Sequence, residues 1–185
     1  YSDAGATVDG GETITTSGTV DTNTVGVYTI TYTATDSSNN QATASRTVYV
    51  VDTNAPVITV LGDNPATVEL GSTYSDAGAT ADGGETVTAS GTVDTNTVGS
   101  YTVTYTATDS SGNQGIATRI VNVVDTTAPV ITVLGNDPVT VEVGSTYSDA
   151  GATADGGETV TTSGTVDTNT VGVYTITYSA TDSSN

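Results

Sequence analysis

The phrase YSDAGATADGGE stands at Tyr74–Glu85 and again from Tyr147, and a copy with one change, YSDAGATVDGGE, stands at Tyr1. The copies are 73 residues apart, and Tyr28, Tyr101 and Tyr174 keep that spacing, as do Asp36, Asp109 and Asp182. Repetition at a fixed period constrains the architecture before any local pattern does. A period of 73 is too long for one coil of a solenoid and fits a small globular domain. Residues 1–39 and 147–185 differ only at Val8/Ala154, Ile14/Val160 and Thr33/Ser179. Duplication so recent means that invariance between copies carries little functional weight.

The boundaries are expected at DTNAP (Asp52–Pro56) and DTTAP (Asp125–Pro129). Proline fixes its own φ and biases the preceding residue toward extended geometry, which gives a short, stiff joint. Residues 1–56 are then a partial repeat lacking its first strands, 57–129 a complete repeat, and 130–185 a partial repeat lacking its last strand. Flanking repeats of a longer protein are expected to complete both ends.

Within a repeat the hydrophobic period is two. In YTVTYTATD, Tyr101, Val103, Tyr105 and Ala107 share one face, and Thr102, Thr104, Thr106 and Thr108 share the other. This is the pattern of a half-buried strand. VITVLG and ATVELG read as one strand broken at Asp63-Asn64-Pro65. Glycine pairs and single glycines punctuate the rest at turn spacing. About seven short strands per repeat with no helix signal predict an all-β sandwich. Tyr28, Tyr32, Tyr101, Tyr105, Tyr174 and Tyr178 have core parity, and only Tyr49 is expected to be clearly exposed.

The segments GSTYSDAGA, VDTNTVGSYTVTYTATDSSGN and the Asp-x-x-Ala-Pro joint resemble the bacterial surface immunoglobulin-like domains, relatives of the hyalin-repeat modules. The resemblance covers the whole chain. It implies tandem immunoglobulin-like Greek-key sandwiches in a large adhesin or secreted protein, hence an extracellular, cell-surface location. Two departures stand out. Many members carry an Asn/Asp-rich turn where this chain has DGGE (Asp82–Glu85). Val103 stands where an antibody domain would place its second cysteine.

Composition removes several function classes. The chain has 21 acids, 2 arginines, no lysine and no histidine, and a net charge of −19. Nucleic acids and anionic membranes need clustered basic residues, so neither is an expected partner. No apolar run is long enough to insert into a bilayer as a helix. Without His, Cys or Lys there is no Ser-His or Cys-His nucleophile pair and no GxxxxGK phosphate loop. Without Trp or Phe, paired carboxylates lack the aromatic cleft that a glycosidase uses. The chain is therefore expected not to be an enzyme.

The natural ligand of such a chain is a cation. DTNTVG (Asp94–Gly99) imitates the start of an EF-hand loop, but Tyr105 stands where the bidentate acid belongs. Asx turns at Asp94 and Asn96 are the expectation there. The domain joint is a better Ca²⁺ candidate. Strand alternation brings Asp52, Asp82, Glu85, Asp109 and Asn113 to one end of the domain, and Asp125, Asp155, Glu158 and Asp182 to the corresponding end of the next. Hard oxygens from several loops suit calcium; solvated turn carboxylates are the equal alternative. Asp76 poses a separate problem, because it shares parity with Tyr74. Either a bulge near Gly78 turns it outward, or it pairs with Arg119 at the sandwich rim. A solvated Arg119 is the default expectation.

These readings converge on a structural segment of a stalk or filament whose neighbours are further repeats of the same protein, with calcium stiffening the joints. Homo-oligomers or filaments are possible assemblies. The alternatives are a carbohydrate- or surface-binding accessory module and a subunit of a strand-swapped extracellular filament.

Overall fold

The computed structural model describes residues 1–184, which form thirteen strands and no helix. The first repeat contributes β1 (Ile14–Ser17), β2 (Gly26–Thr35) and β3 (Gln41–Val50), an antiparallel sheet in that order. The central repeat builds two sheets. One pairs β4 (Ile58–Val60) with β6 (Ala79–Ala81). The other has the order β5-β9-β8-β7, from β5 (Ala66–Glu69), β7 (Thr88–Ser90), β8 (Gly99–Thr108) and β9 (Gln114–Val124). In the third repeat β10 (Ile131–Val133) pairs β11 (Ala152–Ala154), and β12 (Thr161–Ser163) pairs β13 (Thr177–Ser179). The all-β class is as the alternation predicts.

Packing divides the chain into two compact units. One comprises Tyr1–Thr59, Ala79–Thr88 and Tyr105–Ala117; its buried apolar side chains are Ile30, Tyr32, Tyr105 and Ala107. The other comprises Val60–Gly78, Ala89–Thr104 and Thr118–Asn185, with Val103, Val121 and Val123 buried. The dividing lines fall inside β4, β7, β8 and β9 and just before β6.

The interrupted strand of the central repeat does more than pause. Its two halves, β4 and β5, join different sheets, and β5 runs parallel to β9 with Ala66 opposite Val121 and Glu69 opposite Val124. The Asn64-Pro65 bond is cis. Asn64 fixes the crossing point. Its Nδ2 donates to the Thr118 carbonyl at 2.8 Å and its Oδ1 accepts the Ile120 N–H at 3.0 Å. One side-chain amide thus replaces two ladder bonds next to a proline that has no N–H to offer. The central repeat has six strands, one fewer than expected, but β8 and β9 are ten and eleven residues long.

Register follows the alternation. Val103, Tyr105, Ala107, Val121 and Val123 are buried, whereas Thr102 and Thr108 are exposed. Tyr101 departs from expectation and is only half-buried. Its hydroxyl donates to the Thr97 carbonyl at 2.8 Å; Tyr28 does the same to Thr24 at 2.8 Å and Tyr174 to Thr170 at 3.0 Å. This is the tyrosine corner of immunoglobulin-type sandwiches, in which a tyrosine near a strand start bonds to backbone a few residues upstream. A phenol with that task keeps its tip at the rim. Tyr174, at 37% exposed, departs further from its expected core place, and Tyr49 is 70% exposed as expected.

Two substitutions test this register by chemical denaturation. Tyr105→Ala empties a fully buried site and is expected to cost about 3–5 kcal/mol. Tyr101→Phe removes one hydrogen bond and should cost only about 1 kcal/mol. Comparable losses in the two variants would contradict the assignment of core and corner.

Candidate functional site: the joint and the buried arginine

The Asp-x-x-Ala-Pro joints are held by side chains from neighbouring turns. Asp52 opens the first joint with an Asx turn, its Oδ1 accepting the Asn54 N–H at 3.0 Å. The β8–β9 turn reaches it. Ser111 Oγ donates to Asp52 Oδ2 at 3.3 Å, and Asn113 Nδ2 donates to the Asp52 carbonyl at 3.2 Å. Asp109 organises that turn. Its Oδ1 accepts the N–H groups of Ser111 and Asn113 at 2.8 and 2.9 Å, and its Oδ2 accepts Asn113 Nδ2 at 2.9 Å. The Asn113 side chain, and then the turn amides, hold the Asp109 carboxyl below the usual carboxylate range.

The second joint repeats the pattern and adds a grip. Ser184 Oγ donates to Asp125 Oδ2 at 2.9 Å, while Ser184 N–H donates to Asp182 Oδ1 at 2.9 Å. From β5, Glu69 Oε1 accepts the Thr126 N–H at 2.8 Å and the Thr127 hydroxyl at 2.9 Å. Its Oε2 accepts the Thr126 hydroxyl at 2.9 Å. These bonds, the Thr126 amide first, lower the Glu69 pKa. Nothing in the local sequence marks Glu69 for this task. Only the parallel placement of β5 beside the end of β9 brings it to the joint.

The other predicted ligands have different partners. Asp82 Oδ1 accepts the N–H groups of Val57 at 2.9 Å and Gly83 at 3.1 Å. Asp155 does the same for Val130 at 2.9 Å and Gly156 at 3.1 Å. These two aspartates pin the DGGE turn to the chain just after each joint proline. Glu85 and Glu158, with Glu12 in the first repeat, each keep one buried carboxylate oxygen without a hydrogen-bond partner. Each folds back over the first glycine of its turn, where a Cβ would meet Oε1 at 2.2 Å. Asp52, Asp109 and Asn113 are thus brought together. Among the described residues, no three carboxylates gather in a way that could hold a metal ion.

The expected Asx turns form. Asp94 Oδ1 accepts the Asn96 N–H at 3.0 Å and Oδ2 the Thr97 hydroxyl at 2.9 Å, an arrangement repeated at Asp21 and Asp167.

Arg119 corrects the expectation of a solvated side chain. It is 2% exposed, and its Nε lies 3.3 Å from Asp76 Oδ1. Its Nη2 donates to the carbonyls of Leu61 and Gly78. Tyr74 donates to the same Asp76 oxygen at 3.0 Å. The first repeat has the matching cluster. Arg46 bonds Asp3 at 2.6 Å and the Gly5 carbonyl at 3.1 Å, Tyr32 donates to Asp3 at 2.6 Å, and the guanidinium lies 5.8 Å from the Tyr32 ring centre. In sequence, the Tyr-x-Asp parity together with one arginine per repeat was the available signal.

Two outcomes test these clusters. Removing one partner of a buried ion pair strands the other, so Asp76→Ala should cost about 3–5 kcal/mol, and adding Arg119→Met should recover part of that loss. Equal stability of single and double variants would contradict the pairing. The second concerns pH. Asp3, Glu69 and Asp109 hold protons less tightly when folded than when unfolded. Their stabilisation is complete above the unfolded carboxylate range, near about pH 4, and is lost as pH falls through their lowered folded values. Melting temperature should therefore drop on acidification below about pH 4, and Glu69→Gln should flatten that drop.

Comparison with known proteins agrees with the geometry. The family described as bacterial surface protein, Ig-like domain, matches residues 1–50, 58–123 and 131–185, one stretch for each repeat. Hyalin from Lytechinus variegatus is 38% identical over 135 residues, and hyalin from Strongylocentrotus purpuratus 32% over 136. Each match covers 66% of this chain but only 26% and 11% of the two hyalins. Among solved structures, the lipoprotein BT2262 of Bacteroides thetaiotaomicron aligns at 26% identity with a TM-score of 0.35, covering 58% of this chain and 55% of that one. With its three matched stretches, tyrosine corners and paired sheets, the chain belongs to the Ig-like domain family of bacterial surface proteins.

Proposed function

We propose that the chain is a spacer segment of a tandem-repeat surface protein, without catalytic activity, that holds a distal region away from the cell or builds a fibre. The joint at Asp125–Pro129 carries this reading. Glu69 grips it with three hydrogen bonds and Ser184 with a fourth, and proline limits its backbone. A flexible tether would need no such clamps. The tyrosines argue in the same direction. A carbohydrate platform needs several exposed rings; Tyr32 and Tyr105 are buried, the hydroxyls of Tyr28, Tyr101 and Tyr174 are bonded to backbone, and on β3 Tyr49 alone presents an exposed ring.

The calcium reading goes one step further. Asp52, Asp109 and Asn113 already share hydrogen bonds, and Glu85 keeps an unpartnered buried oxygen. Calcium there would draw on Asp52 and Asp109, with backbone and amide oxygens completing its shell, because no third carboxylate joins them in a metal-binding group. Its chemistry would be charge neutralisation. Residues 57–129 carry eight acids and one arginine, so −8 + 1 = −7.

Scattering and calorimetry test both parts. A spacer should give a maximum dimension that grows by a constant increment as repeats are added. A compact particle whose dimension stays level would end that reading. If calcium binds, a hundredfold excess over Kd stabilises by about 2.7 kcal/mol, and melting temperature should rise more than in NaCl of equal ionic strength. Asp52→Asn with Asp109→Asn should remove the difference. Equal responses to the two salts would mean solvated turn carboxylates.

A further inference from the structure

The first joint is tied to the central repeat at both of its ends. Asp52 is gripped from the β8–β9 turn by Ser111 and Asn113. Val57 is paired with Asp82, whose Oδ1 accepts the Val57 N–H at 2.9 Å and whose own N–H donates to the Val57 carbonyl at 3.1 Å. Between these two anchors Thr53, Asn54 and Ala55 are exposed, but Pro56 is buried. It is buried against a glycine. The Pro56 carbonyl lies on Gly115, where a Cβ would run into its oxygen, and Ile58 Cγ1 stands 3.7 Å from the same point.

Glycine is a costly choice at this place. Gly115 is the second residue of β9, it is buried, and its parity is that of Arg119, Val121 and Val123. Its φ lies outside the left-handed region, so the backbone conformation does not call for glycine. Glycine inside a strand loosens it, and marks a place where another backbone approaches closely. The corresponding residue of the first repeat is Ala42, the second residue of β3, paired with Ala34 in an unbroken ten-residue ladder. A hairpin of this design therefore accepts alanine. Room for Pro56, and not the strand itself, accounts for the glycine. The packing agrees. The compact unit that holds the first repeat and the joint also takes in Ala79–Thr88 and Tyr105–Ala117 of the central repeat.

We propose that Gly115 is the seat of the first joint, a positioning residue whose missing side chain lets residues 52–57 lie against the central repeat and so holds the first repeat fixed against Tyr105–Ala117. One methyl group at this place lifts Pro56, strains the Asp82 pairing at Val57, and draws Asp52 away from Ser111 and Asn113. The joint then changes from a fixed one to a swivel while both hairpins stay folded. Stiffness is in this way written at one position of the repeat, where glycine seats a joint of this kind and alanine frees it. The seat deepens the spacer reading and rests on it for its purpose, but the two fail separately. A chain whose maximum dimension stays level as repeats are added loses the spacer and can keep the seat.

The test is solution NMR on the intact chain, comparing the wild type with Gly115→Ala and with Ile116→Ala, a control on the exposed face of the same strand. In the wild type, residual dipolar couplings from β2 and β3 and from Tyr105–Ala117 should fit one alignment frame. Gly115→Ala should split that frame in two and quicken exchange of the Val57 amide about tenfold or more, as local opening of the joint requires. The amides of β2, β3, Val121 and Val123 should keep their protection. Ile116→Ala should change neither reading. Two frames in the wild type would overturn the proposal whatever the variants do. So would a single frame with unchanged Val57 exchange in Gly115→Ala. Loss of protection throughout β8 and β9 in that variant would overturn it as well, because the glycine would then be a need of the strand and not of the joint.

Discussion

A guanidinium taken out of water inside a strongly acidic chain is the interaction on which the rest of the central repeat depends. Desolvating Arg119 is costly unless every donor is answered. Asp76 and the carbonyls of Leu61 and Gly78 answer it. Those partners come from the end of β4 and from the strandless stretch before β6. One side chain on β9 therefore anchors residues that have no ladder of their own. In the first repeat Arg46, only partly buried, makes the matching bonds to Asp3 and Gly5 and adds the Tyr32 ring. A repeat of 73 residues with no disulfide has little spare core, and a single well-placed cation can hold what alternation alone would leave loose.

The acids have a structural logic beyond charge. Asp21, Asp36, Asp94, Asp109 and Asp167 each accept amide or hydroxyl donors within their own turns. A carboxylate that satisfies turn N–H groups prevents them from being stranded where the chain reverses. Much of the net charge is thus the by-product of many short turns. The long-range repulsion it creates falls on surfaces where water and salt screen it.

Sequence reading reached the fold because side-chain alternation in β8 and β9 has a fixed period, and burial at Val103, Tyr105, Val121 and Val123 follows from it. It placed the Asx turns because an aspartate two residues before an amide is a local geometry. It misplaced Tyr101, since parity says which face a residue occupies but not how far its tip reaches. It offered the Asp76–Arg119 pair as one answer to the Tyr74 parity but kept a solvated Arg119 as the default, because a lone cation is more often exposed. Glu69 was invisible for a different reason. Its partners at Thr126 and Thr127 are set by a parallel strand pairing that no local pattern announces.

That parallel pairing has a mechanical consequence. In the central repeat β5 precedes β9 in the chain, β9 leads on to the second joint, and the two run side by side in the same direction. Tension applied at the start of β5 and the end of β9 pulls the two strands in opposite directions along a shared axis. The bonds between Ala66–Glu69 and Val121–Val124 then slide against one another together instead of opening one after another from a free edge. Loaded in this direction, the ladder resists as a unit, and the rate at which it gives way sets how long the pairing lasts under load.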